Sequence, residues 1–382
     1  MDEKSERYIL KKFSEYYSKE KYPLPDRYGK REWGFMFFNR EFMVRHIGFR
    51  KESEVRNYLI KNVPAHVYHS AAYYEKPQEE MKDKLWLGAD LIFDIDADHI
   101  PGAKELRYEA MLDIVKEELK KLVFDFLLTD FGFSKEEIKI YFSGGRGYHV
   151  HVIDPDAILL GADERREIVD YITFNQPDLE KLIDWEVYDK NVGKKRYKLK
   201  FLRMPLPNEN GWRGKIGREI RSYMLSLQKM DRALAMKELT KQKGIGLKKA
   251  EKILEAIKNF DVEKRKDIGE IIPNIIGHLG IKMSAETDEP VTSDIKRLIR
   301  MPYSLHGKTG FRVMPVQISE IDDFDPLRDA IVFSSEKLEI EIKRKVDIFL
   351  GGKKFELSEG KNKIEEFAAI FFILRDMGMV IE

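Results

Sequence analysis

The 382-residue chain contains no cysteine. That excludes disulfide bridges, cysteine-ligated zinc, iron–sulfur centres and thiol catalysis. Long apolar runs are missing as well. The longest, Phe367–Leu374, spans eight residues, far short of the ~20 that a bilayer-spanning helix needs. The N-terminal residues carry no apolar core of a signal peptide, so a soluble intracellular protein is expected. Neither sign of charge dominates: 68 Lys and Arg stand against 67 Asp and Glu, a net +1. No global field marks a polyanionic partner, and any nucleic-acid surface has to be built by local clustering.

What the chain does have is concentrated first in residues 91–98, Leu-Ile-Phe-Asp-Ile-Asp-Ala-Asp. Read as a strand, this stretch sends Leu91, Phe93, Ile95 and Ala97 to one face and Asp94, Asp96 and Asp98 to the other. Adjacent carboxylates repel and are costly to bury unpaired. A divalent cation such as Mg²⁺, which favours oxygen ligands, removes that cost. The plain alternative is an edge strand with a solvated acidic face, and the apolar lead-in Leu91-Ile92-Phe93 argues against an edge.

A second stretch complements the first. Ile138–Phe142 reads as a strand, Ser143-Gly144-Gly145-Arg146-Gly147 as a tight turn, and Tyr148–Ile153 as a further strand. A glycine turn presents backbone N–H groups to an anion, and Arg adds a forked phosphate contact. His149 follows Arg146 closely and is assigned to phosphate, whereas His151 is read as an ordinary core or surface histidine. In a third stretch, Ser293 or Asp294 is expected to cap a short helix carrying Lys296, Arg297 and Arg300. Pro302 breaks that helix, and a loop with His306 and Lys308 follows. Carboxylates for metal beside a cradle for phosphate are the equipment of phosphoryl or nucleotidyl transfer.

These motifs together resemble the small catalytic subunit of the archaeal and eukaryotic DNA primases. The resemblance rests on Phe93-Asp94-Ile95-Asp96, on Ser143 to His149, and on Leu298 to His306 with Gly307-Lys308-Thr309-Gly310. Arg31-Glu32-Trp33, Tyr74 to Gln78 and Phe324-Asp325-Pro326 extend it, from about residue 25 to the C-terminus. It implies an α+β primase fold of mixed sheets flanked by helices, and template-directed synthesis of short primers from nucleoside triphosphates on single-stranded DNA. Asp94, Asp96 and Asp288 are then the catalytic residues and ligands of Mg²⁺ or Mn²⁺. Asp288 is chosen over Asp294 only through the resemblance. Ser143, Arg146, His149, Arg300 and His306 would hold the triphosphate, Asp98 would stand behind the matched pair, and Arg31 would line the elongation site. A large regulatory subunit is the implied protein partner. Localisation follows as cytoplasmic and nucleoid-associated in an archaeon, or nuclear in a eukaryote.

The chain departs from the family pattern in one respect. Where relatives carry a zinc site after the acidic strand, residues 99–108 hold one His and no Cys, so no structural zinc is expected. Gly145 also stands where some relatives have a second Arg.

The remaining pattern gives an architecture. Helices are expected over 3–20, 52–62, 103–129, 163–183 and 363–377, with strands over 31–38, 42–47, 67–74 and 195–202. The catalytic domain is divided as 1–215 and 271–382, around a helical insertion at 216–270. Within the insertion, Lys243–Leu254 resembles half of a helix-hairpin-helix, and the preferred reading is a plain glycine turn between helices. Arg196, Lys198 and Lys200 share a strand face and are the better candidates for nucleic-acid backbone. Three other functions compete: a primer-extending or end-repair polymerase of the same superfamily, a haloacid-dehalogenase-like phosphatase, and a non-catalytic nucleic-acid-binding subunit. Asp98 stands where the phosphatases need Thr or Val, which counts against them.

Overall fold

The acidic stretch is a strand, Leu91–Asp96, with Leu91, Ile92, Phe93 and Ile95 buried and the two aspartates partly exposed. It belongs to a computed structural model that describes residues 1–175, 177, 182, 184–192, 195–203, 205–241, 245–258 and 282–381. Its antiparallel neighbour is Gly147–Val152, in a register that sets Asp94 opposite His149 and Asp96 opposite Gly147. Ile138–Phe142 and Met314–Val316 complete the sheet. The acidic strand is therefore outermost in its sheet, contrary to the expectation drawn from its apolar lead-in. That lead-in reports covered faces, not hydrogen-bonding neighbours. The outer edge is protected instead by residues 287–293. Thr287 Oγ1 and the Asp288 amide both donate to the Asp94 carbonyl, at 3.3 and 2.9 Å.

A second four-stranded antiparallel sheet has the order Leu298–Arg300, His66–Ser70, Trp33–Met36, Val44–Ile47. Trp33, Phe35 and Val67 are wholly buried in it. The expected strand 67–74 is split, because the chain leaves this sheet after Ser70 and Ala72–Tyr74 pairs with Trp86–Ala89. These sheets lie in one compact unit, formed by residues 1–124, 132–169 and 286–382.

Several other boundaries differ from expectation. The helix carrying Arg300 does not form. A helix runs earlier, over Glu289–Ser293, with Pro290 in its first turn, and Arg300 ends a strand opposite Tyr68. Asp294 turns the chain by accepting from the Lys296 amide at 2.9 Å. The long helix begins at Tyr108, is α-helical to Lys120 and continues in wider π-type turns to Leu128. The last helix is Glu366–Leu374, since Gly360–Glu365 is a strand whose Lys361 and Lys363 face Glu341 and Glu339 of Lys337–Ile342. Opposite charges across a ladder favour strand there.

The second unit comprises residues 125–131 and 170–285. Its described parts are the hairpin Asp184–Val192 with Lys195–Arg203 and helices Gly211–Lys229, Arg232–Thr240 and Leu247–Lys258. Trp212 packs on Phe174 and Phe126, ring centroids 4.4 and 5.6 Å apart. The helical stretch expected at 216–270 falls in this unit, together with the hairpin that precedes it. Lys243 and Gly244 of the hairpin-like motif lie outside the described residues.

Candidate active site

Two glycines fix the geometry of the phosphate-type turn. A side chain at Gly147 would meet the Ile95 carbonyl oxygen at 2.2 Å, so only glycine lets the turn come this close to the acidic strand. Gly144 has φ +77°, and a Cβ there would lie 2.7 Å from that of His306. The turn is thus seated on the His306 loop, and Thr309 Oγ1 donates to the Gly144 carbonyl at 2.6 Å. Loop, turn and acidic strand surround a cavity of about 780 Å³.

Asp94, Asp96, Ser143, Arg146, His149, Arg300 and His306 all line this cavity. Seven of the eight residues assigned to metal and triphosphate are therefore brought together. The eighth, Asp288, is not part of the wall. It stands beside Asp94 through the backbone bond described above, with its carboxylate 3.5 Å from His99 Nε2.

The carboxylates are strained electrostatically. Burial, followed by repulsion from Asp96 and Asp288, raises the Asp94 pKa to about 7, although Arg300 and Arg297 pull the other way. His149 Nε2 lies 3.5 Å from Asp94 Oδ1. Burial holds its pKa well below the ordinary range, with His151 and Arg300 adding to the effect, so the contact is polar and not ionic. Its other nitrogen, Nδ1, is buried without a partner among the described residues. His306 is neutral for the same reason, with Arg300 and His66 adding to burial.

The cations are held in place differently. Arg146 binds Asp98 and reaches Asp96 at 3.5 Å, so the exposed Asp98 anchors the arginine. Arg300 Nη1 is 2.6 Å from His66 Nδ1 and 3.1 Å from the Tyr68 hydroxyl. Burial, with Arg300 and Lys308 nearby, lowers the His66 pKa to about 2. It is therefore neutral and can accept from the guanidinium.

His66, Tyr68, Tyr108 and Arg375 line the cavity too, and sequence reasoning missed them. Tyr68 stands opposite Arg300 in register, a pairing that no local pattern announces.

Arg31 is corrected by the structure. It is 2% exposed and not in the cavity wall. Its donors go to Asp26 O, Ser70 O, Ala71 O, the Tyr73 hydroxyl and Asp90 at 2.7–3.2 Å. With all five N–H groups engaged, it has none left for a nucleotide. His151 is a buried core residue. Arg196 and Lys198 are exposed on the hairpin of the second unit, and the side chain of Lys200 lies outside the described residues.

Among the described residues, no three acidic or imidazole side chains are gathered into a ready coordination sphere. The fit to a cation is electrostatic: three aspartates, one of them held at a raised pKa by burial and, after that, by the other two. An all-carboxylate set suits a hard divalent ion such as Mg²⁺ or Mn²⁺.

A family model described as DNA primase small subunit matches residues 93–318. The DNA primase small subunit PriS of Methanothrix thermoacetophila is 42% identical over alignments covering 100% of both chains. That of Methanococcoides burtonii is 41% identical over 98% of each chain, and that of Archaeoglobus fulgidus 40% identical over 96% of each.

Proposed function

Because this chain belongs to the DNA primase small subunit family, we propose that its cavity is where an incoming nucleoside triphosphate is joined to a growing primer. The chain is a primase catalytic subunit, and its reaction is nucleotidyl transfer on a single-stranded DNA template. The observation that carries the reading is the register that sets Asp94 and Asp96 against His149 and Gly147 at the mouth of the phosphate-type turn.

In the reaction, a 3′ hydroxyl oxygen forms a bond to the α-phosphorus. The bond from that phosphorus to the α,β-bridging oxygen breaks, pyrophosphate leaves, and the hydroxyl proton passes to solvent. Asp94, Asp96 and Asp288 would hold two divalent cations, Mg²⁺ or Mn²⁺. When bound, these lower the pKa of the hydroxyl and neutralise the triphosphate. Arg300 and Arg146 meet phosphate oxygens as forked cations. Ser143 and the turn amides donate to the same oxygens, and His149 and His306 each add a donor without adding charge. The glycine turn fixes these donors before the substrate arrives, so little reorganisation accompanies transfer.

A large regulatory subunit is the proposed protein partner, and Arg196, Lys198 and Lys200 are proposed contacts to the nucleic-acid backbone. The relatives are archaeal, which makes a cytoplasmic, nucleoid-associated location the proposed one. No described helix is long and apolar enough to cross a membrane.

The test is incorporation of labelled nucleotides on single-stranded DNA, unprimed and primed, with and without added large subunit. Short products on the unprimed template support the reading. Extension of a primer alone, even with the large subunit, would favour an end-extending polymerase of the same superfamily.

A further inference from the structure

Arg375 follows the helix Glu366–Leu374, whose residues from Glu366 to Ile373 are all buried. The arginine therefore springs from a rigid base. Its guanidinium carbon lies 5.1 Å from the Tyr108 ring centroid and 5.0 Å from that of Phe371. The Tyr108 hydroxyl in turn donates to the carbonyl of Gly145, inside the phosphate-type turn. Arg375, Tyr108 and Gly145 are thus linked in a row, by a ring contact and then by a hydrogen bond, and all three line the cavity.

The other forked cations of the wall differ in their attachments. Arg146 is bound to Asp98 and faces Asp96, and Arg300 is bound to His66 and Tyr68. The Arg375 guanidinium forms no hydrogen bond or ion pair with the described residues. The neighbouring acid, Asp376, is neutralised by Lys343 at 2.6 Å and by the N-terminal amine at 3.7 Å. Among the described residues the heads of Arg297 and Lys308 also have no hydrogen bond or ion pair, but neither lies over an aromatic ring.

The plain alternative is a cation complementing the carbonyls at a helix C-terminus. That role is met by any solvated basic side chain. It does not require stacking on a ring from a distant helix, nor a place in the cavity wall. A guanidinium held on two aromatic faces keeps its N–H edge available and its direction fixed. The ligand such an edge recognises is a phosphate.

We infer that Arg375 is a further binding residue for the polyphosphate of the incoming nucleotide, an assignment that rests on the nucleotidyl-transfer reading above. It reaches the triphosphate from the side of the glycine turn, across Tyr108. Pyrophosphate, sharing the same oxygens, would be held by the same edge before release.

The test compares the full chain with Arg375→Ala and Arg375→Lys in equilibrium binding of inorganic triphosphate, a nucleoside triphosphate, the matching nucleoside monophosphate and single-stranded DNA. Arg375→Ala is expected to weaken binding of both triphosphates about tenfold, as loss of one charge-assisted contact would. Monophosphate binding, DNA binding and melting temperature should change little, and Arg375→Lys should recover part of the loss. In turnover, KM for nucleotide should rise more than kcat falls. Arg375 is exposed, and Arg375→Gln replaces the alanine variant if that one fails to fold. Unchanged triphosphate binding, or an equal loss of DNA binding, would overturn the assignment. If the wild type binds triphosphate but incorporates no nucleotide, the transfer reading fails instead, and the binding data still decide the role of Arg375.

Discussion

The amide of Asp288 donates to the carbonyl of Asp94 at 2.9 Å. This one bond brings an acid from the C-terminal half of the chain to the edge of the acidic strand. It also closes a strand edge that would otherwise be open. The same contact raises the electrostatic cost of the site, since Asp288 joins burial and Asp96 in pushing the Asp94 pKa up to about 7.

That cost gives a pH dependence. An acid with a raised folded-state pKa binds more protons folded than unfolded between its unfolded value, 3.8, and about 7. Stability therefore falls as pH rises through that window. Asp94→Asn should be more stable than wild type above pH 7, by roughly 1–3 kcal/mol given partial solvent access. The difference should vanish below about pH 4. Thermal melts across pH measure it. Added Mg²⁺ should raise the wild-type melting temperature and leave Asp94→Asn nearly unmoved.

Gly147→Ala places a methyl group against the Ile95 carbonyl and Asp96 Cα, at 2.2 and 2.9 Å. Both neighbours are backbone, so the strands must part. A loss of about 1–3 kcal/mol or more is expected in denaturant unfolding. Nucleotide incorporation should drop further than stability, because the pairing that aims Asp96 is the pairing disturbed.

Arg31→Ala leaves Asp90 buried without its partner, both side chains being 2% exposed. The expected loss is about 3–5 kcal/mol. Denaturant unfolding should record it, while KM for nucleotide in the folded fraction stays at the wild-type value. A residue lining an elongation site would behave in the opposite way, so this pair of measurements also checks the correction made above.

The sites that could be read from sequence are those whose chemistry is local. Asp94 and Asp96 alternate with apolar residues on one strand, and Ser143 to Gly147 is a turn by composition. Both were legible because period and residue type suffice there. Arg31 was not, because its fate is set by Asp90, 59 positions away, and a buried arginine looks the same in sequence as a nucleotide-facing one. His66 and Tyr68 were hidden by their strand, which reads as an ordinary half-buried segment until Arg300 is set opposite Tyr68. Lys363 was absorbed into a helix because the apolar run after it dominates, although the alternation of Lys361 and Lys363 with Asn362 and Ile364 is a strand signal. The outermost position of Leu91–Asp96 escaped because residues 287–293 cover it, and burial alone does not reveal what covers a strand.

The central claim is that the acidic strand carries the chemistry of primer synthesis. Its most direct test is nucleotide incorporation on an unprimed single-stranded template by wild type and Asp96→Asn, with DNA binding measured on the same preparations. The expected result is short products from wild type, a loss of at least about a thousandfold in the variant, as for removal of a catalytic metal ligand, and equal DNA binding by both. Incorporation by Asp96→Asn at the wild-type rate would contradict the claim, and so would a wild type that binds DNA yet incorporates nothing on any template.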